Sequence, residues 1–276
     1  MQSSALTRGG NAVEEYTAFT TIVSEEIFIM DPSYLYSARI NESFDEDQAE
    51  IVSILKRELA KQPGYEVQLI NYYKGLPVSY PAQLIGIERD IIELDIYPQQ
   101  AVVLAEQHCT FVRCDALRHD LFAHVQYVNI RRRAASLRKY CYVEIMAERR
   151  NYIRLDLDPH KHALIRTADG VIKGMLTELA INGACVKIEQ PSTLEINDEI
   201  TLSFKMHGIM RKDVDYTVKT EARLVGITGD ALPRYYRFRI TPDKILDRFL
   251  AQYLFQRQIE IIREIRDITE VYINDR

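Results

Sequence analysis

Arg149-Arg150-Asn151-Tyr152-Ile153-Arg154, and further on Glu178-Leu179-Ala180-Ile181-Asn182-Gly183 with Ala184-Cys185-Val186-Lys187-Ile188 behind it, decide how this chain is read. The guanidiniums of Arg150 and Arg154 stay charged at any working pH. Their planar forks match phosphate oxygens and the acceptor edge of guanine. The second segment sets a carboxylate, a small residue and a glycine ahead of a strand in which Cys185 and Lys187 alternate with Ala184, Val186 and Ile188. Alone, an R-x-x-x-R run is common by chance, and surface arginines are usually just solvated. Order, separation and the strand after the glycine make the pair a stronger signal than either half.

Outward from that stretch, the pattern on both sides is of short strands broken by turn residues. Upstream, Val67 to Tyr73, Gln83 to Ile87, Ile91 to Tyr97, His108 to Cys114, Leu121 to Ile130 and Lys139 to Met146 read as strands. Gly75, Pro77, Pro81, Pro98 and Asp115 read as the breaks between them. Downstream, Ala163 to Thr167, Val171 to Glu178, Ala184 to Glu189, Glu199 to Met206, Asp215 to Ile227 and Tyr235 to Ile240 give six more. The fold class expected is mainly β with helices: two small β-barrels in tandem, the second six-stranded, and a long C-terminal helix. Thr241 is the expected cap of that helix, with Pro242 in its first turn. Ile245, Phe249, Tyr253, Ile261, Ile265 and Ile268 mark its apolar face. Running to about Tyr272 it reaches roughly 45 Å, longer than one small barrel. It is therefore expected to cross to the other domain or to a second copy of the chain.

Before the strands, residues 1 to 15 read as a mobile arm and Thr17 to Met30 as a strand or short helix. Asp45 to Lys61 reads as a helix, capped by Ser43 and ended by Pro63-Gly64. The composition is that of a globular protein: 276 residues, 47% apolar, 27% charged, net charge −5. That balance gives no overall attraction to nucleic acid or to an anionic membrane, so any anion site must be local. Cys109, Cys114, Cys141 and Cys185 form no C-x-x-C pair, Met1 to Gly10 shows no export signal, and no apolar run approaches the roughly 20 residues of a membrane span. A cytoplasmic protein with reduced thiols is expected. The histidines are scattered; His160 and His162 share a strand face without a carboxylate set, and no nucleophile elbow, P-loop or dinucleotide fingerprint occurs. A binding module is expected, and no enzyme.

The two opening segments resemble the halves of the PilZ-domain signature, R-x-x-x-R followed by [DN]-x-S-x-x-G. The strand-rich region before them, with Ile92-Glu93-Leu94-Asp95-Ile96-Tyr97-Pro98 and Phe122-Ala123-His124-Val125, resembles the amino-terminal domain of YcgR-like PilZ proteins in layout. The resemblance divides the chain into an arm and helical segment (1–64), a first barrel (65–147), an arginine linker (148–154) and a PilZ barrel with its helix (155–276). It implies cyclic di-GMP, the bacterial messenger, as ligand and no metal or other cofactor. Carried over residue by residue, it assigns ligand binding to Arg149, Arg150, Arg154, Glu178, Ala180 and Gly183. It further implies that the ligand orders the linker and re-aims the two domains, switching a surface for a partner such as the flagellar motor or the polysaccharide machinery of biofilms.

Two positions depart from the signature. Glu178 replaces Asp or Asn and lengthens the reach by a methylene. Ala180 replaces Ser and deletes a hydroxyl worth about 0.5–1.5 kcal/mol, up to roughly tenfold in affinity. The alternatives are a degenerate PilZ adaptor acting only through proteins, and a nucleic-acid-binding barrel using Arg131-Arg132-Arg133, Arg138, Lys139 and the second arginine run. The first basic run has no interleaved aromatics to stack bases. It reads better as a solvated hairpin loop that adds positive potential.

Overall fold

The computed structural model describes residues 32–207 and 215–274. The expectations for residues 1–15 and for Thr17 to Met30 lie outside the described residues. Contacts divide the chain into Met1–Tyr34 and Leu35–Arg276; the strands and helices described below belong to the second unit.

The first barrel is built from β2 (Glu66–Tyr73), β3 (Leu76–Glu88), β4 (Ile91–Ile96), β5 (Cys109–Arg113), β6 (Asp120–Asn129) and β7 (Ala134–Ile145). The order β7-β4-β3-β2-β5-β6 closes where β6 pairs back to β7, and the short β1 (Tyr36–Ala38) lies along the end of β7. Helix α1 (Phe44–Lys61) buries Ile51 and Leu55 in this barrel's core. Its cap is Ser43, whose hydroxyl accepts from the Glu46 N–H at 3.3 Å.

Two readings of this region need correcting. Pro77 and Pro81 are not breaks but lie inside β3. The even-numbered N–H groups of β3 face β2, as Leu84 N–H donating to the Tyr65 carbonyl shows. Both prolines are odd-numbered, so their nitrogens face away from β2, and β4 pairs with β3 only from Ala82 onward. A proline with no ladder partner to lose is tolerated there. Pro98, expected to end a strand, instead opens helix α2 (Pro98–Gln107) at its first turn, where the missing N–H costs nothing. The buried run Ala101-Val102-Val103-Leu104 is too short for its period to distinguish helix from strand.

The second barrel comprises β8 (Leu155–Arg166), β9 (Val171–Ala180), β10 (Gly183–Ile188), β11 (Glu199–His207), β12 (Asp215–Thr228) and β13 (Arg234–Ile240), closed in the order β10-β13-β12-β11-β8-β9. Leu155, Leu157, Ile165, Leu176, Leu179, Val186, Leu202, Leu224 and Phe238 fill it. The expected tandem of six-stranded barrels is the observed fold.

Helix α3 (Lys244–Asn274) joins them. Its cap is Asp243 rather than Thr241: the Asp243 carboxylate accepts from the N–H groups of Ile245 and Leu246 at 2.9 and 2.8 Å, leaving Pro242 just outside the helix. Leu250, Leu254, Ile261 and Ile265 are buried in a core shared with Tyr73, Leu76 and Val78 of the first barrel, and Ile268 packs on the first barrel's own core. The crossing thus occurs within one chain. Ile245, expected on the apolar face, is 83% exposed because it sits in the first turn, ahead of the buried stripe.

The basic loop between β6 and β7 has a structural task at the far end of α3. Arg131 Nε donates to the Tyr272 carbonyl at 2.9 Å, and Arg133 lies 3.4 Å from Asp95 with its guanidinium 5.9 Å above the Tyr97 ring. The last carbonyls of a helix have no partner within it and are stabilised by cations. Arg131→Ala is expected to cost about 0.5–1 kcal/mol and to fray the final turn. Hydrogen exchange at residues 270–274 reports this; unchanged exchange there would remove Arg131 as the cap.

Candidate functional site

Strand β7 runs into a 3-10 turn, Met146–Arg149, and then into an extended segment that becomes β8 at Leu155. The Arg150 N–H closes the turn on the Ala147 carbonyl at 3.3 Å. What holds the segment's far end is the β2–β3 hairpin of the first barrel. Lys74 and Gly75 both take positive φ, +49° and +79°, the pairing that two-residue hairpins need. A Cβ on Gly75 would stand 2.0 Å from the Arg154 carbonyl oxygen, and the Asp156 N–H donates to the Lys74 carbonyl at 3.0 Å. The Arg154 backbone is thus seated directly on the first barrel.

On the PilZ-signature side, register places the chemistry. In the β9–β10 hairpin Ala180 pairs with Gly183 and Glu178 with Cys185; across β10, Gly183 pairs with Arg239 and Cys185 with Arg237. Leu179, Ala184 and Phe238 fill the barrel, so the residues between them face outward. Two rows result, Glu178–Cys185–Arg237 and Ala180–Gly183–Arg239. They frame a cavity of about 320 Å³ into which Arg154 also projects.

The cavity therefore gathers Arg154, Glu178, Ala180 and Gly183 from the sequence-based set. Arg149 and Arg150 do not line it. Arg149 is ion-paired with Glu144. Arg150 stands beside Tyr72 on the first barrel; burial, with Glu148 nearby, pushes that phenol up to about 12, and Arg150 pulls it back. The lining residues outside that set include Asn182, Arg237 and Arg239. A signal for the arginines was present, since Arg237 and Arg239 alternate with Tyr236, Phe238 and Ile240 and must share the outer face of a strand.

Arg154 and Glu178 make no side-chain hydrogen bond or ion pair among the described residues, although both are only partly exposed. Ala180 is 1% exposed, so a hydroxyl there would be a buried, directed donor. The Cys185 thiol is pushed up to about 12 by burial and by Glu178, which makes it a poor nucleophile. Asp156, directly opposite Glu178 on β8, is pushed up to about 7, first by burial and then by Glu178, with Arg257 and Lys74 pulling it down. His160 and His162 are exposed, and no cluster of three or more metal-ligating side chains occurs among the described residues. No helix among them is long and apolar enough to cross a membrane.

The family model of the PilZ domain matches residues 148–256, a span holding the arginine segment, all six strands of the second barrel and the first part of α3. Residues 148–256 are a PilZ domain. Similar solved structures include YcgR from Escherichia coli in complex with c-di-GMP, at 14% identity and a TM-score of 0.40, covering 83% of this chain and 100% of that one. Another is the Bacillus subtilis inhibitor of motility MotI/DgrA, at 14% and 0.38, covering 71% and 97%. A third is the K. pneumonia MrkH–c-di-GMP complex, at 15% and 0.39, covering 79% and 96%. No curated protein matches the sequence. The PilZ domain carries the whole cavity, and the first barrel contributes the hairpin that seats Arg154 beside it.

Proposed function

We propose that this protein is a cyclic di-GMP receptor whose ligand sits in the PilZ cavity against the linker. The observation that carries the reading is the pair Arg154 and Glu178, opposite charges in one cavity, each without a side-chain hydrogen bond or ion pair among the described residues. Partly buried charges left unpaired are costly, and a ligand offering both an anion and a donor edge relieves both. Cyclic di-GMP has these groups: a phosphate for Arg154, and guanine N1–H and N2–H for the Glu178 carboxylate. Arg237 and Arg239 add positive charge at the rim for a ligand carrying two phosphates, and Gly183 leaves its row open.

Arg149 and Arg150 complete the grip only if the segment 148–154 folds towards the cavity. Because the same segment joins the barrels, ligand binding re-aims the first barrel and α1 (residues 44–147) against the PilZ barrel. The output we propose is a switchable protein-binding surface in the cytoplasm, acting on motility or exopolysaccharide machinery.

Calorimetry with cyclic di-GMP tests the reading. Arg154→Ala deletes a charge-assisted bond worth about 1.5–3 kcal/mol, so affinity is expected to fall roughly ten- to a hundredfold. Arg154→Lys keeps the charge but loses the fork and should still weaken binding. Ala180→Ser should tighten it several-fold. An absence of binding by the native protein at high micromolar ligand, not rescued by Ala180→Ser with Glu178→Asp, would replace the receptor reading by that of a ligand-free adaptor.

A further inference from the structure

Asp156 stands one strand away from the cavity, outside the set the PilZ signature assigns. Leu155 and Leu157 on either side of it point into the barrel, so its carboxylate points outward. Its Cα pairs directly with that of Glu178. Every element around it brings a charge. Just before its strand is Arg154 and on the strand is Asp158; on β9 is Glu178, and on the β2–β3 hairpin is Lys74, held by Glu264 of α3 at 2.5 Å. From α3 comes Arg257, which reaches Glu260 at 3.5 Å and whose Nε is buried without a hydrogen-bond partner among the described residues. Asp156 itself makes no side-chain hydrogen bond or ion pair among them.

Two carboxylates directly opposite on one face repel each other, and burial close to Arg257 of α3 penalises the charged form of Asp156. Arg257 and Lys74 offset part of that cost but leave the balance in favour of the proton. If α3 lifts, water reaches Asp156 and the penalty disappears. Protonation and helix closure are therefore linked with a definite sign: the proton favours the closed helix, and its loss favours the open one.

We propose that Asp156 is a proton-linked positioning residue that ties the state of the cavity to the packing of α3 over β8. With a proton from solvent on its carboxylate, α3 lies closed. With the carboxylate ionised, the helix stays packed but opens more readily around Arg257. An anionic ligand seated beside Glu178 adds negative charge next to Asp156, so it draws a proton on to that carboxylate and closes the helix. This last step rests on the receptor reading above; the link between proton and helix does not.

Hydrogen exchange on the ligand-free protein tests the link. Corrected for intrinsic rates, protection of α3 amides 257–268 is expected to fall roughly tenfold between pH 6 and pH 8.5. Asp156→Asn, which cannot ionise, should show no such fall and should be more protected than the native protein at both pH values. Arg257→Gln, which removes an attraction that offsets ionisation, should steepen the native dependence. Equal pH dependence in native protein and Asp156→Asn overturns the link. Calorimetry with cyclic di-GMP at pH 7.5 in two buffers of different ionisation enthalpy tests the ligand step: proton uptake in the native protein and none in Asp156→Asn is expected. Binding without uptake overturns that step alone. No binding at all refutes the receptor reading and the ligand step together, while the exchange result still decides the link.

Discussion

Gly75→Ala is expected to destabilise the protein by about 3 kcal/mol and to weaken ligand binding as well. The left-handed backbone at Gly75 costs a residue with a Cβ roughly 1–2 kcal/mol. The larger obstacle is spatial. The new methyl would stand 2.0 Å from the Arg154 carbonyl oxygen and 3.0 Å from the Leu155 Cα, both backbone atoms that no rotamer change can move. Overpacking of this kind adds about 1–3 kcal/mol. The chain relieves it by moving either the hairpin or the linker, and the linker carries Arg154 into the cavity. A fall in Tm of about 6–12 °C follows for a protein of this size. Gly86→Ala is the control, because its Cβ would meet only the flexible tip of Glu93 at 3.1 Å; it should move Tm little. A Gly75→Ala protein melting with the native one would show that the hairpin does not seat the linker.

Truncation after Arg257 has the other large expected effect. It removes Ile261 and Ile265, 0% and 5% exposed, from the core shared by both barrels. It also removes Glu264, which holds Lys74 at 2.5 Å and accepts from the Tyr73 hydroxyl at 3.4 Å. Losing each buried aliphatic costs about 2–5 kcal/mol, and together they rival the roughly 5–15 kcal/mol that stabilises a typical domain. Loss of the cooperative transition, with aggregation through the uncovered face, is the expected outcome in thermal melts and light scattering. Ile261→Ala, a milder change, should lower stability by about 2–5 kcal/mol and leave the mass unchanged. A truncated chain that remains a monomer and melts like the native protein would mean that α3 does not hold the barrels together.

Much of this architecture was legible without coordinates, because it is local. Alternation at period two marks strands, as in Glu199–His207 and Asp215–Thr228, where each even residue from Ile200 to Met206 faces the core. Ser43 before an acidic first turn marks the start of α1. What misled was local chemistry taken without its neighbours. Pro77 and Pro81 look like breakers until the side of the strand they face is known, and Pro98 opens a helix as readily as it ends a strand.

The candidate site divides in the same way. The sequence by itself showed an arginine run ahead of a carboxylate-to-glycine hairpin, and placed Arg237 and Arg239 on one face of a strand, since residue types and their order are visible in the chain. Only the tertiary structure decided that Arg154 enters the cavity while Arg149 turns to Glu144. It alone decided that Arg237 and Arg239 reach the same cavity, because β13 pairs with β10 only when the barrel closes. It alone set Asp156 opposite Glu178 and brought Arg257, from a helix that starts beyond the last strand, close to it. Side-chain type and period are properties of neighbouring residues. Which strand lies beside which, and what covers a carboxylate, depend on pairings between residues far apart in the chain, and these exist only once the barrels and the helix have packed.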